Sequence, residues 1–327
     1  MRVFVTKIIP APGLELLKQA GLTISQWTEE RPMTKEELLA GALQCDALFC
    51  SGPYKLDKAF LQACSHLRVI ALMSVGFDQV DVAEATRLGI PVGNTPGVLS
   101  NATADMALLL MLATSRKAFY MYRKIVNGTW TRDVNSSEMG MELQGKTLGI
   151  VGLGKIGLEM ARKCRALYNM HILYHNRGRN EQAEKTLGAE RVSFEELLRR
   201  SDVVSVHVAL TPDTRNLFDR RAFAQMKPTA IFINTSRGGV HNEADLTAAI
   251  RDKTIWGAGL DVTNPEPMHK DNPLLTMPSV CVLPHIGSAT LETRTAMAEL
   301  AAKNILAGLA GQPLPAPVNP AVTPAGR

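Results

Sequence analysis

Long apolar runs are absent from this 327-residue chain. The most apolar stretch, Leu108-Leu109-Leu110-Met111-Leu112, is closed by Arg116 and Lys117, far short of the ~20 residues a membrane span requires. It reads as a buried core helix, and no membrane partner is expected. The N-terminus, Met1-Arg2-Val3-Phe4-Val5-Thr6, reads as a first strand and lacks the apolar segment of a secretory signal, while Pro10 and Pro12 read as loop. Cysteine is sparse: Cys45, Cys50, Cys64, Cys164 and Cys281 are odd in number and widely spaced. That pattern gives no metal-ligand spacing and favours a reducing, cytoplasmic setting. The formal charge of +5 comes without a dense Lys/Arg tract, so nucleic acid is not an expected partner. Charged residues at 20% and apolar residues at 46% exclude a largely disordered chain, and the length points to two domains.

The run Thr147-Leu148-Gly149-Ile150-Val151-Gly152-Leu153-Gly154-Lys155-Ile156-Gly157 is present near the middle of the chain, with the helical Leu158 to Arg165 after it. A strand that breaks into a glycine turn and then a helix suits a dinucleotide. Gly152 would allow the tight turn, Gly154 the approach of a pyrophosphate, and Gly157 close helix–sheet packing, with the helix N-terminus facing the phosphates.

Short apolar strands alternate with helical patterns on both sides of this turn. Before it come Val3 to Thr6, Ala47 to Cys50, Val69 to Leu72 and Pro91-Val92, separated by helices such as Leu14 to Ala20, Thr34 to Ala40 and Lys58 to Ala63. A helix from Ala102 to about Asn127 follows. After the turn come strands at Ile172 to Tyr174, Val203 to Val206, Ile231 to Ile233, Gly257 to Leu260 and Val280 to Leu283. Helices are expected at Phe194 to Arg200, Arg221 to Gln225, Glu243 to Ile250 and Thr290 to Ala307. This order implies an α/β fold with doubly wound parallel sheets. From Pro313 onward, Pro and Ala dominate, and a surface tail is expected.

Three residues fall at or just past candidate strand ends, where ligands bind in this sheet class. They are Arg237 in Asn234-Thr235-Ser236-Arg237-Gly238-Gly239, Glu266 in Asp261-Val262-Thr263-Asn264-Pro265-Glu266-Pro267, and His285 in Val282-Leu283-Pro284-His285-Ile286-Gly287-Ser288. A cation, a carboxylate and an imidazole form a coherent set for reducing a 2-oxo acid. Arg237 could hold the substrate carboxylate, His285 could donate a proton to the carbonyl oxygen, and Glu266 could orient the ring. His66, His171, His207, His241 and His269 lack comparable companions.

With Val75-Gly76-Phe77-Asp78, Asp81 and Asn94-Thr95-Pro96-Gly97-Val98 added to these motifs, nearly the whole chain resembles the D-isomer-specific 2-hydroxyacid dehydrogenase family, and within it the glyoxylate and hydroxypyruvate reductases. The resemblance implies two Rossmann-like doubly wound parallel-sheet domains with an interdomain active-site cleft. A cofactor domain of residues 99–286 would be inserted between the two parts of a substrate domain, 1–98 and 287–327. It assigns catalysis to Arg237, Glu266 and His285. It places Ser51, Gly52, Val75 and Gly76 on the substrate with Arg237 and His285. Beside the cofactor it places Thr103, the glycine turn (Gly152, Leu153, Gly154, Lys155, Ile156, Gly157), Val208, Ala209, Leu210, Thr235, Ser236, Arg237, Asp261, His285, Gly287 and Ser288. Asp261 would meet the nicotinamide carboxamide, and Asp78 and Asp105 would be structural partners or ordinary cap and surface charges.

After the second strand of the cofactor domain stands Tyr174-His175-Asn176-Arg177-Gly178-Arg179, with no acidic residue before Glu181. NAD-preferring sites commonly use a carboxylate here for the ribose hydroxyls. Asn176 can instead accept or donate a neutral hydrogen bond, and Arg177 and Arg179 can pair with the extra phosphate of NADP(H), with NAD(H) as the other cofactor the site could take. Trp130 matches one of an aromatic pair found in close relatives, whereas Thr131-Arg132-Asp133-Val134 departs from the second. The helix after Ala102 and the segment through Trp130 resemble the family's dimerisation region, implying a homodimer. The alternatives to glyoxylate or hydroxypyruvate reduction are reduction of 2-ketogluconate or another 2-keto acid, and a dinucleotide-sensing, corepressor-like role.

Overall fold

The computed structural model describes residues 1–322, which form two compact units: one from Met1–Leu99 with the chain from Ser288 onward, the other from Ser100–Gly287. In the first unit, strands β1 (Arg2–Val5), β2 (Thr23–Gln26), β3 (Ala47–Cys50), β4 (Val69–Leu72) and β5 (Val92–Gly93) pair in the order β2-β1-β3-β4-β5. Every pairing is parallel. β3 and β4 are buried along their whole length, as strands covered on both faces must be. The order reverses between β1 and β3, so the ends of those strands open a ligand crevice in this sheet class.

The helix Leu291–Leu309 returns to this unit and packs on its sheet. Its small residues permit the approach. A Cβ on Gly308 would lie 2.5 Å from the Val69 Cβ, and one on Gly13 of the helix Ala11–Gln19 would lie 2.8 Å from the Ala298 Cβ. Pro10 and Pro12, expected in a loop, instead cap and open the helix Ala11–Gln19. Proline is tolerated in a first turn because the N–H it lacks has no helical partner there.

The second unit carries β6 (Thr147–Val151), β7 (His171–His175), β8 (Glu190–Arg191), β9 (Val203–Val206), β10 (Ile231–Asn234), β11 (Gly257–Leu260) and β12 (Val280–Val282). They pair in parallel in the order β12-β11-β10-β9-β6-β7-β8. The reversal lies between β6 and β9, at the head of the glycine turn. Both sheets are thus parallel and doubly wound, as expected. Phe218, Phe223 and Phe232 cluster within one core, with Phe223 edge to face against Phe232, and the helix Ser100–Ser115 covers β10 and β11.

The single helix expected from Ala102 to Asn127 is two helices, Ser100–Ser115 and Ala118–Val126. Lys117 breaks it by adopting a left-handed conformation (φ 52°). Its buried ammonium donates to the Ser137 carbonyl at 2.7 Å and sits 4.7 Å from the centre of the Trp256 ring.

The surface tail expected from Pro313 is corrected in its described part: Leu314, Ala316 and Asn319 are buried, and the segment lies antiparallel to the edge of β5. Residues 323–327 of that expected tail lie outside the described residues. No helix among the described residues is long and apolar enough to cross a membrane, and no cluster among them could hold a metal ion.

Candidate active site

The glycine turn uses each glycine differently. Gly152 has φ 98°, and a Cβ there would lie 2.8 Å from the His207 carbonyl; a Cβ on Gly157 would lie 2.5 Å from the Gly152 oxygen. Around Gly154, by contrast, the space is open. The helix Lys155–Tyr168 starts at Gly154 without a side-chain cap, so its first N–H groups face outward, and its partial positive charge suits an anion. Leu153 is buried in the core, whereas Lys155 is exposed and Ile156 half-buried.

At the carboxyl end of β7, the Asn176 side chain is bonded to the Leu153 backbone. Its Oδ1 accepts the Leu153 N–H at 2.6 Å, and its amide donates to the Leu153 carbonyl at 3.3 Å, bracing the turn. Arg179 is paired with Glu184 at 2.5 Å, and Tyr174 donates to the same carboxylate at 2.6 Å. These hydrogen bonds, Arg179 first, hold the Glu184 carboxyl below its usual range. Arg177 is exposed with no ion pair among the described residues, and Arg191 donates to the carbonyls of Asn176 and Arg177 at 3.1 and 2.9 Å.

Val208, Ala209 and Leu210 follow β9; Val208 lies against Gly152 and Leu210 against Gly239. After β10, wholly buried Asn234 builds the turn that carries Arg237. Its Oδ1 accepts from the Ser236 N–H (2.9 Å) and hydroxyl (2.7 Å), and its amide donates to the Arg237 carbonyl at 2.9 Å. The same amide donates to His241 Nδ1 at 3.0 Å. An asparagine at a strand end is a recognisable turn signal, although its partnership with His241 is not readable from sequence. Among the described residues, the buried Thr235 hydroxyl has no hydrogen-bond partner.

Gly238 joins this turn to the loop of Glu266: a Cβ there would collide with the Thr263 carbonyl. Glu243 fixes the same loop from the other side, accepting from the Asn264 N–H at 2.9 Å and the Asn272 amide at 2.6 Å. Glu266 then accepts from His285 Nδ1 at 2.6 Å, although the two residues are far apart in sequence. Burial alone pushes the Glu266 carboxyl up; the His285 hydrogen bond and charge, with a smaller contribution from Arg237, outweigh it and hold the group below its usual value.

His285 itself has φ 55°, a strained conformation for a side-chain-bearing residue. The loop is clamped by Asp261, whose two oxygens accept the N–H groups of Ile286 (2.8 Å) and Gly287 (2.7 Å). Asp261 is 1% exposed, and burial pushes its carboxyl up against these two bonds. Its carboxylate holds the histidine loop. Thr103 lies against Gly287, and Asp105 pairs with Lys163 at 2.8 Å. Ser288 follows directly in the chain.

In the first unit, Ser51 and Gly52 follow β3. The Thr6 hydroxyl ties β1 to that point, donating to the Ser51 carbonyl at 2.9 Å and accepting its N–H at 2.8 Å. Gly52 has φ 133°, and Val75 and Gly76 lie in the half-buried loop after β4. Asp81 caps the helix Val82–Arg87 through the Glu84 N–H. The part played by Thr6 carries no sequence signal beyond its place at a strand end.

Residues 108–287 match the model of the D-isomer specific 2-hydroxyacid dehydrogenase NAD-binding domain. The chain is 42% identical to a glyoxylate reductase of Pyrococcus furiosus over 322 residues, covering 97% of this chain and 95% of the relative. It is also 42% identical to the glyoxylate reductase/hydroxypyruvate reductase of Homo sapiens, covering 96% and 97% of the two chains. Among solved structures, the TT0316 protein of Thermus thermophilus superposes with a TM-score of 0.89 at 39% identity, covering 97% of this chain and 100% of the other. An NADPH-dependent glyoxylate/hydroxypyruvate reductase of Sinorhizobium meliloti, solved with NADP and malonate, gives 0.85 at 31% identity, covering 100% and 99%. With parallel doubly wound sheets, a glycine turn at the strand reversal and the histidine–glutamate pair already in place, this chain belongs to the D-isomer-specific 2-hydroxyacid dehydrogenase family, as an NAD(P)-dependent enzyme of its glyoxylate/hydroxypyruvate reductase-like subgroup.

Proposed function

We propose that this enzyme reduces glyoxylate or hydroxypyruvate to glycolate or D-glycerate, prefers NADPH over NADH, and works as a homodimer. The observation that carries the chemistry is the 2.6 Å bond from His285 Nδ1 to Glu266, on a loop that Gly238 brings against the turn of Arg237. With Nδ1 donating to the carboxylate, His285 presents Nε2 to the substrate, and a proton on Nε2 passes to the carbonyl oxygen as that carbon is reduced. Arg237 binds the substrate carboxylate and orients the carbonyl, a task suited to a planar fork of donors. In the first unit, the backbone of Ser51-Gly52 and Val75-Gly76 is assigned to the substrate.

A bound reduced nicotinamide would supply the hydride. The residues present fit such a cofactor: open space at Gly154, an uncapped helix start, and the orphaned Thr235 hydroxyl and His207 Nδ1. Thr103, Val208, Ala209, Leu210, Ser236, Gly287 and Ser288 would line the rest. NADPH preference rests on Arg177, the exposed cation after β7, with no acidic residue before Glu181 and with the Glu184 carboxylate engaged by Arg179 and Tyr174. The structural relative from Sinorhizobium meliloti is NADPH-dependent and was solved with NADP, which supports this preference.

The homodimer rests on the helix Ala118–Val126, which buries no residue and exposes Tyr122, Ile125 and Val126, with Trp130, Val134 and Met139 exposed beyond it. For the chemistry, Arg237→Ala and His285→Ala should each abolish turnover while NADPH affinity stays within about threefold, since they act on the substrate. Unchanged turnover in either variant rejects its assigned role.

A further inference from the structure

The chain after the final helix reads Pro313-Leu314-Pro315-Ala316-Pro317-Val318-Asn319-Pro320, with proline at every second position through Pro317. Proline cannot donate, so the residues between the prolines must supply the N–H groups. They do: the Val318 N–H donates to the Val92 carbonyl at 2.7 Å, and that of Ala316 to Asn304 Oδ1 at 3.1 Å. In return the Asn94 N–H donates to the Ala316 carbonyl at 3.0 Å, and the Val92 N–H to Asn319 Oδ1 at 2.8 Å. A segment that looks like a tail is therefore a strap closing the edge of β5.

Asn304, wholly buried in the helix Leu291–Leu309, links this strap to the sheet. While its Oδ1 holds Ala316, its amide donates to the Asn94 carbonyl at 3.0 Å. The fit is close enough that a Cβ on Gly93 would lie 2.6 Å from the Asn304 Cγ. Asn94 continues inward, its amide donating to the Val75 carbonyl at 2.8 Å. Next to it, the Thr95 N–H donates to the Ser74 carbonyl at 2.9 Å and the Ser74 hydroxyl to the Gly76 carbonyl at 2.7 Å. The carbonyls of Ser74, Val75 and Gly76 are all tied down. Among the described residues, the N–H groups of Val75 and Gly76 donate to no acceptor.

We infer that Asn304 and Asn94 are positioning residues for substrate, holding the 74–76 loop so that its free N–H groups face a carboxylate, with the 313–319 strap locking the relay from outside. The inference rests on the assignment of the substrate carboxylate to the Val75-Gly76 backbone. A loop freed from Asn94 can rotate its amides away, weakening substrate binding without touching Arg237, Glu266 or His285.

The test uses the full chain with Asn94→Ala, which removes only the side-chain bond and leaves the Asn94 backbone bonds to Ala316 and Asn304. Asn304→Asp serves as a second variant, setting a carboxylate oxygen against the Asn94 carbonyl. Steady-state kinetics are combined with hydrogen exchange at Val75 and Gly76, with and without glyoxylate plus NADP+. Both variants should raise the glyoxylate KM about tenfold while kcat stays within about threefold, as expected when uniform binding is lost. Exchange protection should then need correspondingly more glyoxylate. Wild-type KM and protection in a folded variant, or a lowered melting temperature with unmoved KM, overturns the relay. A wild-type enzyme whose Val75 and Gly76 gain no protection from glyoxylate identifies the carboxylate assignment itself as the failure, and the inference falls with it.

Discussion

Replacing Asp261 by asparagine isolates the clamp on the histidine loop. The side chain keeps its shape, but only one carbonyl oxygen remains to accept two N–H groups, Ile286 at 2.8 Å and Gly287 at 2.7 Å. The other N–H meets an amide donor. A backbone N–H to carboxylate bond contributes about 1.5–3 kcal/mol, and a buried donor left unmet costs a similar amount. The left-handed conformation of His285 stores a further cost of order 1–2 kcal/mol that the clamp offsets. If about 2 kcal/mol of loop positioning is lost, kcat/KM should fall about thirtyfold. The global melting temperature should fall far less, because the substitution also removes a buried charge. Burial has pushed the Asp261 carboxyl up, so the cost of ionising it is absent below its unfolded pKa and grows as pH rises toward its folded pKa. The assay is glyoxylate reduction at neutral pH, with NADPH affinity measured by fluorescence titration. Turnover within about threefold of wild type in a folded Asp261→Asn protein would refute the clamp.

Other expectations follow from the same geometry. Arg177→Glu should lower kcat/KM with NADPH at least about tenfold and spare NADH, since a carboxylate repels the added phosphate; Arg179→Glu should cost less because Glu184 already neutralises Arg179. Equal losses with both cofactors would remove Arg177 from phosphate recognition. Gly238→Ala would press a methyl group onto the Thr263 carbonyl, so the Arg237 and Glu266 loops should separate, with stability reduced by about 2–4 kcal/mol in urea unfolding and turnover reduced with it. A wild-type-like Gly238→Ala enzyme would contradict that packing. Burial lowers both His207 and His241 to about 4, against an ordinary value of 6.5, so the unfolded chain binds more protons between these limits. Stability is therefore full near neutrality and lost as pH falls, by on the order of 3 kcal/mol for each group. Urea titrations should show His241→Gln losing less stability than wild type between about pH 6.5 and 4, and parallel losses would exclude burial as the cause.

The buried parallel strands were the most legible elements, because Val203–Val206 and Ile231–Asn234 are covered on both faces and so are largely apolar. Thr23–Gln26 and Glu190–Arg191 escaped notice as strands. They lie at sheet edges, are exposed or half-exposed, and have the polar composition of loops. The helix break at Lys117 was hidden because its causes, Ser137 and Trp256, are distant in sequence. The strap was misread for a similar reason: proline-rich composition suggests a tail until the β5 edge and Asn304 supply partners for its alternate N–H groups.

Within the site, residue types at strand ends pointed to Arg237, Glu266 and His285, and the structure sets Glu266 against His285 at 2.6 Å. The supporting contacts were not readable. Asp261 acts on backbone 25 residues away, and Glu243 on the Glu266 loop 21 residues away. Asn176, read from sequence as offering a neutral hydrogen bond, gives its amide to the Leu153 backbone and braces the glycine turn, a contact the sequence does not signal.

The central claim is tested most directly by initial rates with glyoxylate, hydroxypyruvate and 2-ketogluconate, each with NADPH and with NADH, across substrate concentration. The account predicts that glyoxylate or hydroxypyruvate with NADPH gives the highest kcat/KM, at least about tenfold above the same acid with NADH. A higher kcat/KM for 2-ketogluconate would contradict the substrate assignment, equal or better rates with NADH would contradict the cofactor assignment, and no turnover despite cofactor binding would contradict the proposed reductase activity.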